Sequence, residues 1–78
     1  MERREINKTI RKVLNLSMRE LADRVETTKQ TISNYERGKC KNSRVLERVI
    51  EWELNIAIED CSDANIKSCC KILEQQRT

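Results

Sequence analysis

Residues 16–39 read LSMRELADRVETTKQTISNYERGK, and this stretch contains two short helical patterns with only a few residues between them. Ser17 and Glu20 have the S-x-x-E spacing of a capping box, in which each side chain accepts a hydrogen bond from the backbone N–H of the other residue. This spacing predicts that a helix begins after Ser17. Its predicted inner face consists of Met18, Leu21, Ala22 and Val25.

A second helix is predicted from about residue 28 to residue 37. Thr27 and Gln30 repeat the capping spacing at its start, and Gly38 is the residue type that most often follows the last turn of a helix. Only residues 26–28 separate it from the end of the preceding helical pattern. Two helices joined this closely must cross at a steep angle.

One face of this second helix contains no carboxylate. Its outward positions i, i+3, i+4 and i+7 form a polar stripe that consists of Gln30, Ser33, Asn34 and Arg37. Lys29 borders the polar stripe, and Ile32 and Tyr35 belong to the opposite, inward side. A helix face that only meets water normally mixes acids with bases, so the polar stripe predicts an anionic partner that forms hydrogen bonds.

The chain on either side of this pair continues the helical periodicity. An earlier helix is predicted to end at Asn15, a residue type that tolerates the left-handed backbone conformation. Its apolar positions are Ile6, Ile10, Val13 and Leu14. A fourth helix is predicted to begin with Asn42 or Ser43 as its cap. It carries Val45, Leu46, Val49, Ile50 and Trp52.

The fourth helix is predicted to break near Leu54 and Asn55. If it continued unbroken to Ile58, Glu53 would lie in the middle of its apolar face, where an unpaired carboxylate is costly to bury. A last helix, capped by Ser62, is predicted to follow. Its narrow apolar side consists of Ile66, Cys69, Cys70 and Leu73.

The composition agrees with a small all-α domain. The chain has 78 residues, of which 37% are charged and 37% are hydrophobic, with one Gly and no Pro. So few Gly and Pro residues leave little sequence for the turns of a β fold. Residues 1–48 contain 13 Lys or Arg and 7 Asp or Glu, whereas residues 49–78 contain 3 and 6. This asymmetry indicates that one side of the protein meets a polyanion, with ordinary solvated helix faces as the alternative on charge alone.

The sequence disfavours several classes of function. It has no His, no Gly-rich phosphate loop and no nucleophile with an adjacent base, so we expect no catalytic site, no metal site and no cofactor. No signal peptide and no apolar run of about 20 residues occurs, which predicts a soluble protein inside the cell.

Four cysteines, Cys40, Cys61, Cys69 and Cys70, lack the spacing of zinc ligands and are expected to be reduced thiols. We expect Cys70 in the core and Cys40 at the surface. For Cys61, Cys69 and Cys70, plain packing is favoured over a redox role, because the neighbours Cys69 and Cys70 cannot easily form a relaxed disulfide with each other.

Residues 10–46 resemble, without a gap, the helix-turn-helix of the lambdoid phage repressor and Cro group, also called the Xre group. The small residue Ala22 stands where the two helices approach closely, and Val25 and Ile32 occupy the two apolar core positions. The run Glu36-Arg37-Gly38-Lys39 resembles the motif that follows the recognition helix of that group. The resemblance implies an all-α, five-helix, lambda-repressor-like DNA-binding domain whose helices 2 and 3 form the helix-turn-helix.

The resemblance also implies roles for individual residues. Lys29, Gln30 and Asn34 match positions that contact base edges in the major groove, and Ser33 belongs to the same stripe. The residues expected to contact phosphates are Ser17, Thr28, Arg37, Lys39, Lys41 and Arg44. Arg11 matches an arginine of the first helix that pairs with the glutamate at Glu36, so we expect a partly buried ion pair.

Three positions depart from the pattern of the group. Met18 stands where a polar residue commonly contacts a base or a phosphate, and as a base contact its thioether can at best touch a thymine methyl group. Glu26 replaces the usual Gly of the turn, which predicts a non-Gly residue at positive φ at a cost of about 1 kcal/mol. Asn15 replaces the Gly after the first helix, and Asn is the next best residue for that backbone conformation.

For the domain organisation, we expect a helix-turn-helix DNA-binding domain over residues 1–58. Residues 59–78 are expected to form a C-terminal helix that either packs on the core or forms a dimer interface. The expected dimer contacts are Trp52, Ile56, Ile58, Cys69 and Leu73, whereas core packing is favoured for Ile66 and Cys70. The resemblance implies a homodimer on a pseudo-palindromic DNA site.

The predicted function is that of a bacterial or phage transcription regulator, more specifically a repressor, that binds double-stranded operator DNA. Its expected location is the cytoplasm, at the nucleoid. The alternative is an antitoxin-like or accessory protein that uses the same scaffold mainly to bind another protein. The complete polar stripe favours the DNA-binding interpretation.

Overall fold

The computed structural model describes residues 2–40 and 43–77. Over these residues the chain forms five helices and no strand: α1 (Arg3–Val13), α2 (Met18–Arg24), α3 (Lys29–Glu36), α4 (Arg44–Glu59) and α5 (Ala64–Gln75). The predicted all-α, five-helix class is confirmed. Helix α1 packs against α3, α4 and α5, and α2 packs against α3 and α4. None of the five helices is both long and apolar enough to cross a membrane.

Every helix contributes to a single hydrophobic core. The largest fully buried apolar side chains are Ile6, Ile10, Leu21, Ile32, Ile50, Leu54, Ile58 and Cys70. Their positions one turn apart on α1 and on α4 follow from the helical period, because residues i and i+4 share a face. Removing such a side chain from water stabilises the fold by about 1.5–3 kcal/mol. The core therefore fixes the orientation of α3, because Ile32 of α3 is buried in it.

The first three helices end in the same way. Asn15, Glu26 and Gly38 follow α1, α2 and α3 and have φ values of 60°, 57° and 75°. After α3, for example, the backbone N–H of Lys39 donates to the carbonyl oxygen of Asn34 at 2.9 Å, which is the long hydrogen bond of a Schellman motif. The positive φ predicted for Glu26 is confirmed, and Asn15 adopts the predicted left-handed conformation.

The predicted break in α4 near Leu54 and Asn55 is wrong, because the helix continues to Glu59. Glu53 lies at the edge of the apolar face and not in its middle. Its Oε2 atom is 3.9 Å from Nη1 of Arg24 on α2. The carboxylate is therefore partly solvated and near a positive charge, so it gives the helix no reason to break.

Two predicted helix caps are one residue out of place. Thr28 caps α3 by accepting a hydrogen bond from the backbone N–H of Thr31 at 3.2 Å, whereas Thr27 still belongs to the end of α2. Asp63, and not Ser62, caps α5 by accepting from two backbone N–H groups at 2.9 and 3.1 Å. A carboxylate also balances the partial positive charge of a helix N-terminus, which a hydroxyl cannot do.

The other predicted caps involve Ser17 and the start of α4. The capping box is confirmed, with hydrogen bonds of 3.0 and 3.2 Å between Ser17 and Glu20. Ser43 precedes α4 without a side-chain capping bond, and Asn42 lies outside the described residues.

Two residues that were expected at a surface pack inward. Ile58 is fully buried, so the expectation that it contacts a second copy is wrong. Cys40, expected at the surface, is half-buried against the core. Cys70 is buried as predicted, and burial raises the pKa of its thiol to about 11, which keeps the thiol neutral at physiological pH. Cys69 is exposed and Cys61 is half-buried.

Candidate nucleic-acid interface

The inner side of α3 is fixed by burial, and this exposes its outer side. Ile32 and Tyr35 are buried in the core, and α3 packs against both α1 and α2. The outer side presents the polar stripe and Lys29. Lys29, Gln30 and Arg37 are exposed, and Ser33 and Asn34 are half-buried. The structure thus brings the predicted base-contacting residues of α3 together on one accessible face.

Two amides of the polar stripe are already joined. Nε2 of Gln30 donates to Oδ1 of Asn34, one turn later, at 3.1 Å. A primary amide has two N–H donors and a carbonyl oxygen with two lone pairs. Gln30 therefore keeps its carbonyl oxygen and one N–H, and Asn34 keeps both N–H groups. This pair can present donors and acceptors together to a planar partner.

The C-terminal end of α3 is basic and tightly built. Nη1 of Arg4 on α1 donates to the backbone carbonyl of Glu36 at 3.1 Å, so a cation lies at the negative end of the helix. A Cβ atom at Gly38 would lie 2.8 Å from the same Arg4 nitrogen. Gly38 is thus favoured by its positive φ, and a larger residue would also displace the Arg4 guanidinium. Arg37 and Lys39, beside it, are exposed.

The residues predicted to contact phosphates are accessible where the structure describes them. Ser17 and Thr28 are exposed, and each caps a helix N-terminus through its hydroxyl oxygen. Arg44 is exposed at the first position of α4. Lys41 lies outside the described residues. The hydroxyl groups stand where backbone N–H groups and the helix dipole favour an anion.

Met18 occupies an intermediate position. Its side chain is half-buried and packs against the core. Its part in packing explains why an apolar residue is compatible with this position, and only the exposed part of the thioether is available to a partner.

A buried ion pair connects α1 to the end of α3. Nε and Nη2 of Arg11 donate to the two carboxylate oxygens of Glu36 at 2.6 and 3.0 Å, and Nη1 donates to the carbonyl of Leu16 at 2.7 Å. The Arg11 and Glu36 side chains are only 7% and 3% exposed, so the pair is more deeply buried than expected. Bidentate geometry holds both groups in fixed orientations. Arg11 therefore fixes the α1–α2 turn and the end of α3 relative to each other.

Residues 8–51 match the model of a helix-turn-helix family, and the match covers more than half of the chain. The chain belongs to the Xre group of helix-turn-helix proteins. This confirms the group and the lambda-repressor-like fold class predicted from the sequence. Proteins of the Xre group are DNA-binding regulators. No curated protein and no solved structure gives a significant match to the chain.

The matched region of this Xre-group protein ends at Glu51, inside α4, and Glu51 belongs to a buried polar network that sequence reasoning missed. Nδ2 of Asn7 donates to the Tyr35 hydroxyl at 3.1 Å and to Oε2 of Glu51 at 2.9 Å. The Tyr35 hydroxyl in turn donates to Glu47. Burial raises the pKa of Tyr35, so the phenol stays protonated and remains a donor. The network thus ties α3 to α1 and α4.

Two arginines complete the network around Glu51. Nε of Arg3 donates to Oε2 of Glu51 at 2.6 Å, and Nε of Arg77 lies 3.9 Å from the same oxygen. Burial alone would raise the pKa of Glu51, but the hydrogen bonds from Arg3 and Asn7 and the charge of Arg77 outweigh it and hold the pKa below its ordinary value. Ile10 and Leu14 follow Asn7 by three and seven residues, so the three side chains share one face of α1. This spacing is the one sequence signal that places Asn7 on the inner face.

Proposed function

We propose that this Xre-group protein is a sequence-specific transcription regulator that inserts α3 into the major groove of double-stranded DNA. The observation that carries the proposal is the accessible polar stripe, with Lys29 beside it and no carboxylate within it. A Gln or Asn amide can pair bidentately with N6 and N7 of adenine, and Lys can donate to O6 and N7 of guanine. In this proposal Lys29, Gln30, Ser33 and Asn34 contact bases.

The remaining polar residues of the site position the protein on the sugar-phosphate backbone. Ser17 and Thr28 lie at helix N-termini, where a phosphate oxygen is favoured. The cationic residues proposed to contact phosphates are Arg37, Lys39, Lys41 and Arg44. Such contacts supply affinity for any sequence, whereas the base contacts supply the preference for one.

We further propose that the protein acts as a repressor and binds a pseudo-palindromic operator as a homodimer. Residues 1–58 would form the DNA-binding unit, and residues 59–78 would support it through the core contacts of Cys70, Ile66 and Leu73. A dimer bound to an operator that overlaps a promoter would exclude the polymerase from that promoter. The proposed location is the nucleoid of a bacterial or phage-infected cell.

A second candidate function is binding to another protein, as in an antitoxin-like or accessory protein. The observation that favours it is the run of exposed apolar side chains Val49, Trp52 and Ile56 on α4, since a contiguous exposed apolar patch marks an interaction surface. In that case DNA binding would be weak and would not depend on sequence.

The experiment that separates the two candidates is selection of the purified protein on a randomised duplex DNA pool at near-physiological salt. The proposal predicts enrichment of an inverted repeat with half-sites about one helical turn apart. The double variant Gln30→Ala/Asn34→Ala should lose the enrichment, while the control Asn65→Ala, an exposed amide on α5, should keep it. Binding without enrichment that vanishes as salt rises would contradict the proposal and favour the protein-binding candidate.

A further inference from the structure

Helix α4 carries a row of exposed apolar side chains on the face turned away from the core. Val45, Val49, Trp52 and Ile56 are 74%, 40%, 69% and 38% exposed. Their spacing of four, three and four residues places them in one line along the helix. We call this row the α4 ridge. A continuous apolar row that faces water is typical of an interaction surface.

The spacing of the α4 ridge is the same in both directions along the helix. Its midpoint lies between residues 50 and 51, so Val49 and Trp52 are equally far from it, and so are Val45 and Ile56. If a second copy of α4 lies antiparallel with the midpoints together, Val49 of one copy is level with Trp52 of the other. Val45 is then level with Ile56. An interface with two-fold symmetry needs such a self-complementary patch.

The shape of α4 near its C-terminal end fits the same arrangement. A shallow, mainly apolar depression of about 270 Å³ is lined by Trp52, Asn55, Ile56, Glu59 and Asp60. In the antiparallel arrangement, Val45 of the second copy is level with this depression and can pack into it, as a knob packs into a hole. The symmetry makes the same contact twice.

The charges near the two ends of α4 favour the antiparallel direction. Arg44 and Arg48 are exposed in the N-terminal half of the helix, and Glu59 and Asp60 are exposed at its C-terminal end. Glu47 and Glu51 in the same half are turned inward, where they bond to Tyr35 and Arg3. Antiparallel packing brings the exposed arginines of one copy towards the acidic end of the other, whereas parallel packing would bring like charges together. Within its own chain Glu59 is paired with Lys71, so Asp60 is the acidic residue of this end that is less engaged by α5.

We propose that a second copy of this chain covers the α4 ridge through an antiparallel, two-fold contact between the two α4 helices. This inference rests on the homodimer of the proposed function and assigns its interface to α4. It keeps Trp52 and Ile56 as dimer contacts, adds Val45 and Val49, and leaves Cys69 and Leu73 of α5 outside the interface.

The first test is the mass of the protein in solution, measured by sedimentation equilibrium over a concentration series into the tens of micromolar. Trp52→Glu places a charge at the centre of the ridge. The control is Ile72→Glu, because Ile72 is 60% exposed on α5, outside the ridge. We expect wild type and Ile72→Glu to be dimeric and Trp52→Glu to dissociate at least about tenfold more readily, with unchanged helical circular dichroism. A monomeric wild type at every concentration, or a Trp52→Glu dimer as tight as wild type, would overturn the proposal.

The second test is disulfide cross-linking, which reports the direction of the two helices. In a Cys69→Ser background, Val45→Cys and Ile56→Cys chains are mixed and oxidised with oxidised glutathione, and the background protein alone is the control. We expect a cross-linked product between the two different variants and little from either one alone, because two copies of position 45 would lie about 16 Å apart along the helix axes. Efficient linkage of Val45→Cys to itself would indicate parallel helices and overturn the antiparallel assignment.

Failure of this inference and failure of the proposed function give different results. A monomer that enriches a DNA sequence would overturn the α4 interface and leave base reading by α3 in place. A dimer that Trp52→Glu dissociates, but that enriches no DNA sequence, would support the interface and overturn the DNA-binding proposal.

Discussion

Arg77 donates from Nε to Oδ1 of Asn7 at 2.8 Å, although 70 residues of sequence separate them. Nη1 of Arg77 also donates to Oδ1 of Asn55 at 3.0 Å, and the Arg77 side chain is only 8% exposed. The end of the chain is thereby fastened to α1 and α4. Nη2 of Arg77 is buried without a hydrogen-bond partner among the described residues, and burial lowers the pKa of the guanidinium. The unpaired Nη2 group and the burial of the charge therefore offset part of the stability that the hydrogen bonds of Arg77 contribute.

Replacement of Arg77 should therefore destabilise the protein moderately. In Arg77→Ala, the two amide oxygens of Asn7 and Asn55 lose their donor and Glu51 loses a neighbouring positive charge. We expect the free energy of unfolding to fall by about 1–2 kcal/mol. Urea denaturation measures it, with Arg19→Ala at an exposed position as the matched control, where a change within about 0.5 kcal/mol is expected. Equal losses in the two variants would show that the Arg77 contacts add nothing.

Glu51 should make stability depend on pH in the acidic range. Its folded-state pKa lies below the ordinary value of 4.5, so its stabilising effect is complete above that value and is lost as the pH falls through the folded-state pKa. Stability of the wild type should therefore decline as the pH falls below about 5. Glu51→Gln should be less stable at neutral pH and should show a flatter decline.

The measurement is the free energy of unfolding in urea at a series of pH values from neutral to acidic. Glu5→Gln, at an exposed position of α1, serves as the control and should keep the wild-type slope. If Glu51→Gln and wild type declined in parallel, the network around Glu51 would not be a source of the pH dependence.

The ion pair between Arg11 and Glu36 should show strong coupling. Arg11→Met leaves the Glu36 carboxylate buried without its partner, and we expect a loss of about 3 kcal/mol or more. The double variant Arg11→Met/Glu36→Met should lose less than the sum of the two single variants, since neither charge is then left alone. A double-mutant cycle from urea denaturation measures this coupling. Additive losses would mean that the two charges do not stabilise each other.

The first three helices could be predicted because their signals are local. Ser17 and Glu20 cap each other, and Asn15 and Gly38, which follow α1 and α3, are residue types that tolerate positive φ. The polar stripe on α3 likewise follows from helical spacing alone. These features need no knowledge of residues elsewhere in the chain.

Apart from the two helix caps that were placed one residue too early, the mistakes concern α4 and residues whose partners lie far away in the sequence. Glu53 does not break α4, because it lies at the edge of the apolar face, near Arg24 of α2. Ile58 is buried because the unbroken α4 places it four residues after Leu54, on the buried face of the helix. The break wrongly predicted near Leu54 and Asn55 removed this relation from the prediction. The network of Asn7, Glu51 and Arg77 joins both ends of the chain, and no spacing in the sequence indicates it.

The residues proposed to contact phosphates should behave differently from those proposed to contact bases. Lys39→Ala should weaken binding to all DNA sequences alike and lower the slope of log affinity against log salt by roughly one unit. Titration of an enriched duplex and of a scrambled duplex over a range of salt concentrations measures both effects. A loss of affinity confined to the enriched duplex would place Lys39 among the base contacts.

The central claim, that α3 reads base edges, is tested most directly by repeating the selection on randomised DNA with Gln30→Ala. One bidentate contact contributes about 1–3 kcal/mol of discrimination between base pairs. We predict that the enriched inverted repeat persists and that the preference relaxes at one base-pair position in each half-site. An enriched sequence identical to that of the wild type at every position, or a loss of preference at all positions together, would contradict the claim.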